Sequence, residues 1–229
     1  MTSTKKWGDA LPSRAQQQAI KREALLRHAA LAFNRRGYHG ASLDDIAGSL
    51  GVTRAALYRY VESKQELLYL CHSAAMDAAF KNLDRASRAP QDGSEPSGLD
   101  KLRGTLTGYL DDMIGDLGHG VALFEENALE GDRAAEIMER RDQFERALRT
   151  LVRQGMADGS VVACEPKLAV FALLGAINWV PKWYRPGGDW QSGQIARALG
   201  ELITRALAAE PAQPALPQDI FLEPPNGEQ

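Results

Sequence analysis

The sequence predicts an all-α protein, and three observations carry that prediction. No proline occurs from Ser13 to Ala89 or from Ser97 to Glu165, and a proline inside a helix costs about 3 kcal/mol, so these long stretches are free to be helical. Apolar residues recur at spacings of three and four, between residues that commonly cap helices. No run of alternating β-branched residues marks a strand.

The elements follow in order. A first helix is expected from Ala15 to Arg36, with Leu25, Leu26, Ala29, Ala30 and Phe33 as its apolar stripe and Gly37 as its stop. A short helix from Leu43 to Leu50 has Ser42 as N-cap, and Asp44 and Asp45 in its first turn, where the helix dipole favours negative charge. After Gly51, Thr53 caps a helix from Arg54 to Tyr60. Ser63 caps a longer one through Leu67, Leu68, Cys71, Ala75, Ala78 and Leu83. Residues 89–98, APQDGSEPSG, form a loop. Leu102, Leu106, Tyr109 and Met113 share one helix face, and the glycine-rich segment 115–120 separates it from a short helix through Phe124. Ile137, Phe144, Leu148 and Leu151 mark a long helix that ends near Gly155. Pro166 opens the next helix, which carries Phe171, Leu174, Ile177 and Val180 and is expected to kink at Pro181. The last helix runs from Gln191 to Ala208 and carries Ile195, Leu199, Leu202 and Ala206, with Ala198 and Ile203 broadening the stripe. Five of the last 19 residues are proline, which suits an extended tail.

Charge divides the chain. Its 229 residues sum to −3, but residues 1–64 hold 11 Lys and Arg against 5 Asp and Glu, and residues 65–229 hold 16 against 25. A head of +6 on a body of −9 suits a polyanion-binding module joined to a second function. The N-terminus lacks the apolar stretch of a secretory signal, and no apolar run approaches the ~20 residues that span a bilayer. The two cysteines, Cys71 and Cys164, are far apart and suit reduced thiols in a cytoplasm. Neither a nucleophile elbow, a Walker-type phosphate loop, an H-E-x-x-H helix nor a paired-cysteine motif occurs, and the four histidines (His28, His39, His72, His119) are scattered. The chain is therefore expected not to be an enzyme and to need neither cofactor nor metal.

Residues 42–61, SLDDIAGSLGVTRAALYRYV, place two short capped helices around a glycine turn. Leu43, Ile46, Ala47, Leu50, Val52 and Leu57 form their shared apolar side. That is the layout of a helix-turn-helix, whose second helix enters the major groove. With Leu57 inward, Arg54, Ala55, Tyr58 and Arg59 turn outward. Arginine can pair with guanine O6 and N7, and Tyr and Thr hydroxyls can meet phosphates.

Residues 25–70, LLRHAALAFNRRGYHGASLDDIAGSLGVTRAALYRYVESKQELLYL, resemble the DNA-binding region of the tetracycline-repressor-like (TetR) transcription regulators. The motifs AxxxFxxxGY, SLDDIA and LGVTxxxLYxYVxSKxELL carry the likeness. The resemblance implies that Ser42 and Thr53 cap helices and touch phosphate, and that Arg54 and Ala55 face base edges. It implies phosphate contacts for Tyr58, a DNA contact for Tyr60 where histidine is common, and a backbone contact for Lys64. Arg59 meets either a base or a phosphate. It further implies an N-terminal arm over 1–14, a three-helix DNA-binding domain over 15–62, a helical ligand-binding and dimerisation domain over 63–209, and a proline-rich tail over 210–229. Phe171, Gly175, Ile195, Leu199, Leu202 and Ile203 on the last two helices are expected to form a four-helix homodimer interface. Two-fold symmetry then sets two recognition helices on a near-palindromic operator.

A small hydrophobic effector is expected among the helices between Lys64 and Lys182, with Tyr109, Leu110, Met113, Phe124, Phe144, Leu148, Trp179, Trp183 and Arg185 as lining candidates. The segment NWVPKWYRPGG, residues 178–188, resembles a branch that often regulates lipid or acyl-CoA catabolism, where Lys182 and Arg185 would meet an anionic group. The expected role is a cytoplasmic repressor released by that effector. A regulator of the same fold controlled by a protein partner is the alternative.

Overall fold

The computed structural model describes residues 13–88, 93–115 and 128–210. The described residues fold into eight helices: α1 (Arg14–Gly40), α2 (Leu43–Ser49), α3 (Arg54–Leu57), α4 (Lys64–Ala86), α5 (Gly98–Ile114), α6 (Gly131–Asp158), α7 (Pro166–Trp183) and α8 (Ser192–Arg205). Phe124, the short helix expected around it, most of the N-terminal arm and the proline-rich tail lie outside the described residues.

Hydroxyl side chains start three of these helices where the sequence placed them, and Ser97 starts a fourth. Ser42, Thr53, Ser63 and Ser97 accept hydrogen bonds from Asp45 N, Ala56 N, Glu66 N and Asp100 N. Each such cap contributes about 1 kcal/mol. Several boundaries differ from the sequence expectation. Gly37 leaves the helical conformation as expected (φ 69°), but α1 resumes past it to Gly40. The helix after Thr53 closes at Leu57, and Tyr58, Arg59 and Tyr60 continue it as turns. α6 passes through Gly155 and stops at Asp158. Gly155 marks a close approach instead of a helix end, because a Cβ there would sit 2.4 Å from Val161 Cγ2. α7 continues through Pro181 and ends two residues later, so the proline lies in the last turn.

Two buried clusters organise the molecule. The first joins Leu25, Leu26, Ala29, Ala30 and Phe33 of α1 to Ile46, Ala47, Leu57, Val61 and the start of α4, and reaches Leu129 and Ile137. The second joins Met76 and Ala79 of α4 to Leu102, Leu106, Tyr109, Leu110 and Met113 of α5, Phe144, Leu148 and Val152 of α6, Val170 and Ile177 of α7, and Ile195 of α8. Helix α4 belongs to both. It is one rod whose first turn supports the helix-turn-helix and whose later turns line the body. Cross-links tie it to α6: Tyr69 Oη donates to the Glu136 carboxylate at 2.8 Å, and Arg140 Nη2 reaches Asp77 Oδ1 at 2.5 Å. An isolated antiparallel bridge, Val161 to Ala208, ties the end of α8 to the segment before α7. No helix among the described residues is long and apolar enough to cross a membrane.

Candidate nucleic-acid interface and effector site

The helix-turn-helix is held by polar contacts as well as by its core. Gly51 sits in the turn at φ 67°, a left-handed conformation that side chains resist. Arg36 Nη1 donates to Asp45 Oδ2 at 2.7 Å, and Ser42 Oγ donates to the same oxygen at 2.8 Å. These bonds, Ser42 first, hold the Asp45 carboxyl below its usual range. At the other end of α2, His28 Nδ1 lies 2.9 Å from Ser49 Oγ.

Six of the eight side chains predicted to meet DNA are exposed, and Ser42 and Lys64 are half-buried. Arg54, Ala55, Tyr58, Arg59 and Tyr60 are all exposed, as is Thr53. Arg54 makes three interactions there. Nη2 donates to Tyr58 Oη at 3.1 Å, Nη1 donates to Asp44 Oδ2 at 2.8 Å, and the guanidinium lies 5.6 Å from the Tyr58 ring centre. The Tyr58 hydroxyl and then Asp44 raise the arginine's pKa further. All of these partners are exposed, so water and salt weaken them. The arrangement holds the guanidinium between Asp44 and the Tyr58 ring. Lys64 starts α4, and its ammonium rests 4.3 Å from the centre of the Tyr38 ring. Tyr38 is a residue that the sequence reasoning assigned no role; the GY pair at 37–38 was its only signal.

In the body, the expected effector residues separate into two groups. Tyr109, Leu110, Met113, Phe144 and Leu148 come together in one buried cluster, with the Tyr109 and Phe144 rings 5.3 Å apart and Phe80 edge-on to Phe144. Trp179 and Trp183 do not join them. They are 61 % and 44 % exposed, on the outward side of α7. Arg185 is also outside: its Nη1 donates to the carbonyls of Lys182 and Tyr184 and closes the end of that helix. An open groove of about 730 Å³ lies between the start of α5 and the end of α6. None of the effector candidates lines it; Glu95, Lys101, Gln154 and Asp158 do.

Sequence reasoning passed over a polar group inside the body. His72 of α4 is buried, and Arg141 Nη2 of α6 lies 3.5 Å from its Nδ1. Burial, and then Arg141, push the His72 pKa down to about 4, so the ring is neutral near pH 7. Burial pushes the Tyr109 hydroxyl up to about 12, and Arg141 partly offsets this. His72 Nε2 and the neighbouring Ser73 Oγ are buried with no hydrogen-bond partner among the described residues. Such orphaned atoms cost about 1–3 kcal/mol each unless something meets them. His72 was legible only as a scattered histidine, because α6 brings Arg141 to it from 69 residues away.

The dimer candidates also divide. Phe171, Gly175 and Leu202 are exposed, together with Leu168, Ala172 and Ala176. A Cβ on Gly175 would meet nothing within 4 Å. Ile195, by contrast, is buried in the body core, and Leu199 and Ile203 pack against that core. This side of α8 faces α5, with Ile195 buried and Leu199 and Ile203 half-buried. Among the described residues there is no group of three or more His, Cys, Asp or Glu side chains placed to hold a metal ion.

Comparison with known proteins agrees with this geometry. Residues 25–69 match the family model for bacterial regulatory proteins of the tetR family, and residues 95–207 match that for the tetracyclin repressor-like C-terminal domain. The chain is 26 % identical over 190 residues to the transcriptional repressor KstR2 of Mycolicibacterium smegmatis, covering 81 % of this chain and 90 % of that one. Among solved structures it resembles PfmR, a TetR family regulator of Thermus thermophilus (27 % identity, TM-score 0.67, 79 % of this chain and 97 % of that one). It also resembles AibR in complex with isovaleryl coenzyme A and operator DNA (25 % identity, TM-score 0.65, 80 % and 97 %). The members of this family are regulators of transcription and not catalysts. The chain belongs to the TetR family of DNA-binding transcription regulators.

Proposed function

We propose that the protein represses transcription as a homodimer on a near-palindromic operator and is released by a small hydrophobic effector. Residues 15–62 bind DNA in this reading, and residues 63–209 bind the effector and the second copy. The observation that carries it is the joint exposure of Thr53, Arg54, Ala55, Tyr58, Arg59 and Tyr60 in and around α3, with Arg54 held by Asp44. Arg54 would pair with a guanine, Ala55 would allow close approach to a base edge, and Ser42, Thr53, Tyr58, Tyr60 and Lys64 would hold phosphates.

Dimerisation is supported by the outward stripe of α7. Leu168, Phe171, Ala172, Gly175, Ala176, Trp179 and Trp183 repeat at helical spacing and are all exposed. Large rings alternating with small residues suit a helix face that receives another helix, and Leu202 of α8 extends the patch. In this reading Trp179 and Trp183 serve the interface and not the effector.

Effector binding is supported by the polar group at His72, Arg141 and Tyr109 beside the Phe80–Phe144 rings. Among the described residues His72 Nε2 and Ser73 Oγ have no hydrogen-bond partner, which would give a polar group of an effector a place to bind. AibR, similar to this chain, has been solved with an acyl-CoA bound, and acyl-CoA thioesters are the proposed class here. The signal would travel along α4. His72 lies eight residues from Lys64, about 12 Å along the helix axis. An effector that draws on His72 in one setting of α4 more than in another shifts the population away from the DNA-binding state.

The test is thermal stabilisation of the purified protein, followed by release of a labelled duplex recovered by selection from random oligonucleotides. Acyl-CoA thioesters are expected both to raise Tm and to release the duplex. Stabilisation by another ligand class alone would overturn the assignment of the effector.

A further inference from the structure

We propose that the first three turns of α1 form a second DNA-binding element, one that lies against the duplex backbone beside the groove occupied by the recognition helix. The proposal rests on the DNA-binding role of the helix-turn-helix and extends it to a segment outside the family-model match, which begins at residue 25.

Helix α1 is 27 residues long, but its buried residues begin at Leu25. Every residue from Ser13 to Glu23 is exposed. The overhang from Arg14 to Ala24 therefore extends about 16 Å past the core. Among the described residues Ser13 to Glu23 pack against nothing that buries them, and a helix of that length is marginal alone. The chain nevertheless braces it. Ser13 and Gln16 form a reciprocal capping box: Gln16 N donates to Ser13 Oγ at 3.2 Å, and Ser13 N donates to Gln16 Oε1 at 2.7 Å. The residues that follow, AQQQAIKRE, contain no glycine or proline.

The stripe of the overhang differs from that of the rest of the helix. Leu25, Leu26, Ala29, Ala30 and Phe33 face the head core. Continued backward at the same spacing, that line passes through Arg22, Ala19, Gln18 and Ala15. Small and polar residues ending in a cation replace the leucines, and Lys21 and Arg14 flank the line. The one acid, Glu23, is met by Arg27 at 3.5 Å. The result is a cationic surface with amide donors and two alanines that permit close approach. Arginine, lysine and glutamine are the side chains that meet phosphate and sugar in duplex complexes.

The direction is set by contacts between α1 and α2. Arg36 meets Asp45 at the start of α2, and His28 meets Ser49 at its end, so the two helices run antiparallel. Continued toward its N-terminus, α1 passes the Gly51 turn from which Thr53 and Arg54 emerge. The cationic overhang thus leaves the head on the Ser49–Gly51 side of α2, while the Arg54 side chain reaches Asp44 at the other end of that helix.

The experiment compares the full-length protein with its Arg14→Gln/Lys21→Gln/Arg22→Gln variant, using fluorescence anisotropy on two duplexes. One ends at the recognised core, and the other carries about eight further base pairs on each side. The wild type is expected to bind the longer duplex at least tenfold more tightly and with a steeper salt dependence. The variant is expected to lose that gain and at least two units of the log–log salt slope per dimer, while keeping its Tm and its sequence preference. Arg54→Ala, by contrast, loses preference on both duplexes. Indifference to flank length, an unchanged slope in the variant, or a change in oligomeric state in place of a change in slope would overturn the overhang while leaving the helix-turn-helix intact. A wild type that binds no duplex would overturn both.

Discussion

The head and the body of this protein use their residues differently. In the head, the core residues and the residues proposed to meet DNA are separate sets. Ile46, Ala47, Leu57 and Val61 are buried, while Arg54, Tyr58, Arg59 and Tyr60 stand outside, with Arg54 held between Tyr58 and Asp44. In the body, one vocabulary serves three purposes. Aromatic and aliphatic side chains fill the core around Phe144, form the candidate effector site at Tyr109, and cover the outward face of α7. The separation in the head fits the partners proposed for the two regions. A duplex presents charge and hydrogen-bonding edges, which call for polar groups at fixed spacing, whereas a hydrophobic effector and a second copy call for apolar surface.

Breaking the body's outward face should have the largest effect. Trp179→Glu is expected to yield a folded monomer whose affinity for a two-half-site operator falls a hundredfold or more, because each half-site then binds alone. Sedimentation velocity and anisotropy check both halves of that statement. If Trp179 instead lined a closed effector site, the variant would stay dimeric.

The interior is probed by pH. His72 has its pKa depressed on folding, so the unfolded chain binds the extra proton. Its contribution is complete above about pH 6.5 and is lost as pH falls through about 4, a difference of roughly 3 kcal/mol. His72→Gln is expected to flatten the fall of Tm between pH 7 and pH 4 relative to wild type. Parallel curves for the two proteins would show that the ring is not held neutral.

On the head, Arg54→Ala is expected to weaken operator binding about ten- to a hundredfold and to relax preference at one base position per half-site. The smallest effect belongs to Lys64→Ala, which should weaken all sequences alike and lower the salt slope by about one per half-site.

The same contrast explains what was legible in the sequence. The caps at Ser42, Thr53 and Ser63 could be read because a hydroxyl before a helical stripe has few other uses. The surface around Arg54 could be read because the spacing to buried Leu57 fixes which way it turns. Ile195 is expected at the dimer interface yet is buried in the body core, since an isoleucine on an amphipathic helix suits an interface and a core equally. Trp179 was placed inside for the same reason. The pairing of His72 with Arg141 joins residues far apart in the chain and leaves no local signal. The overhang of α1 was hidden because periodicity marks a helix without saying where its packing begins.

The most direct measurement is sedimentation velocity of the full-length protein with a labelled, selected duplex at about 0.1 M salt, where exposed charges act over about 10 Å. Two chains per duplex, reduced to none by Trp179→Glu at the same concentration, is the predicted result. A chain that stays monomeric and leaves the duplex free even at low salt would contradict the account.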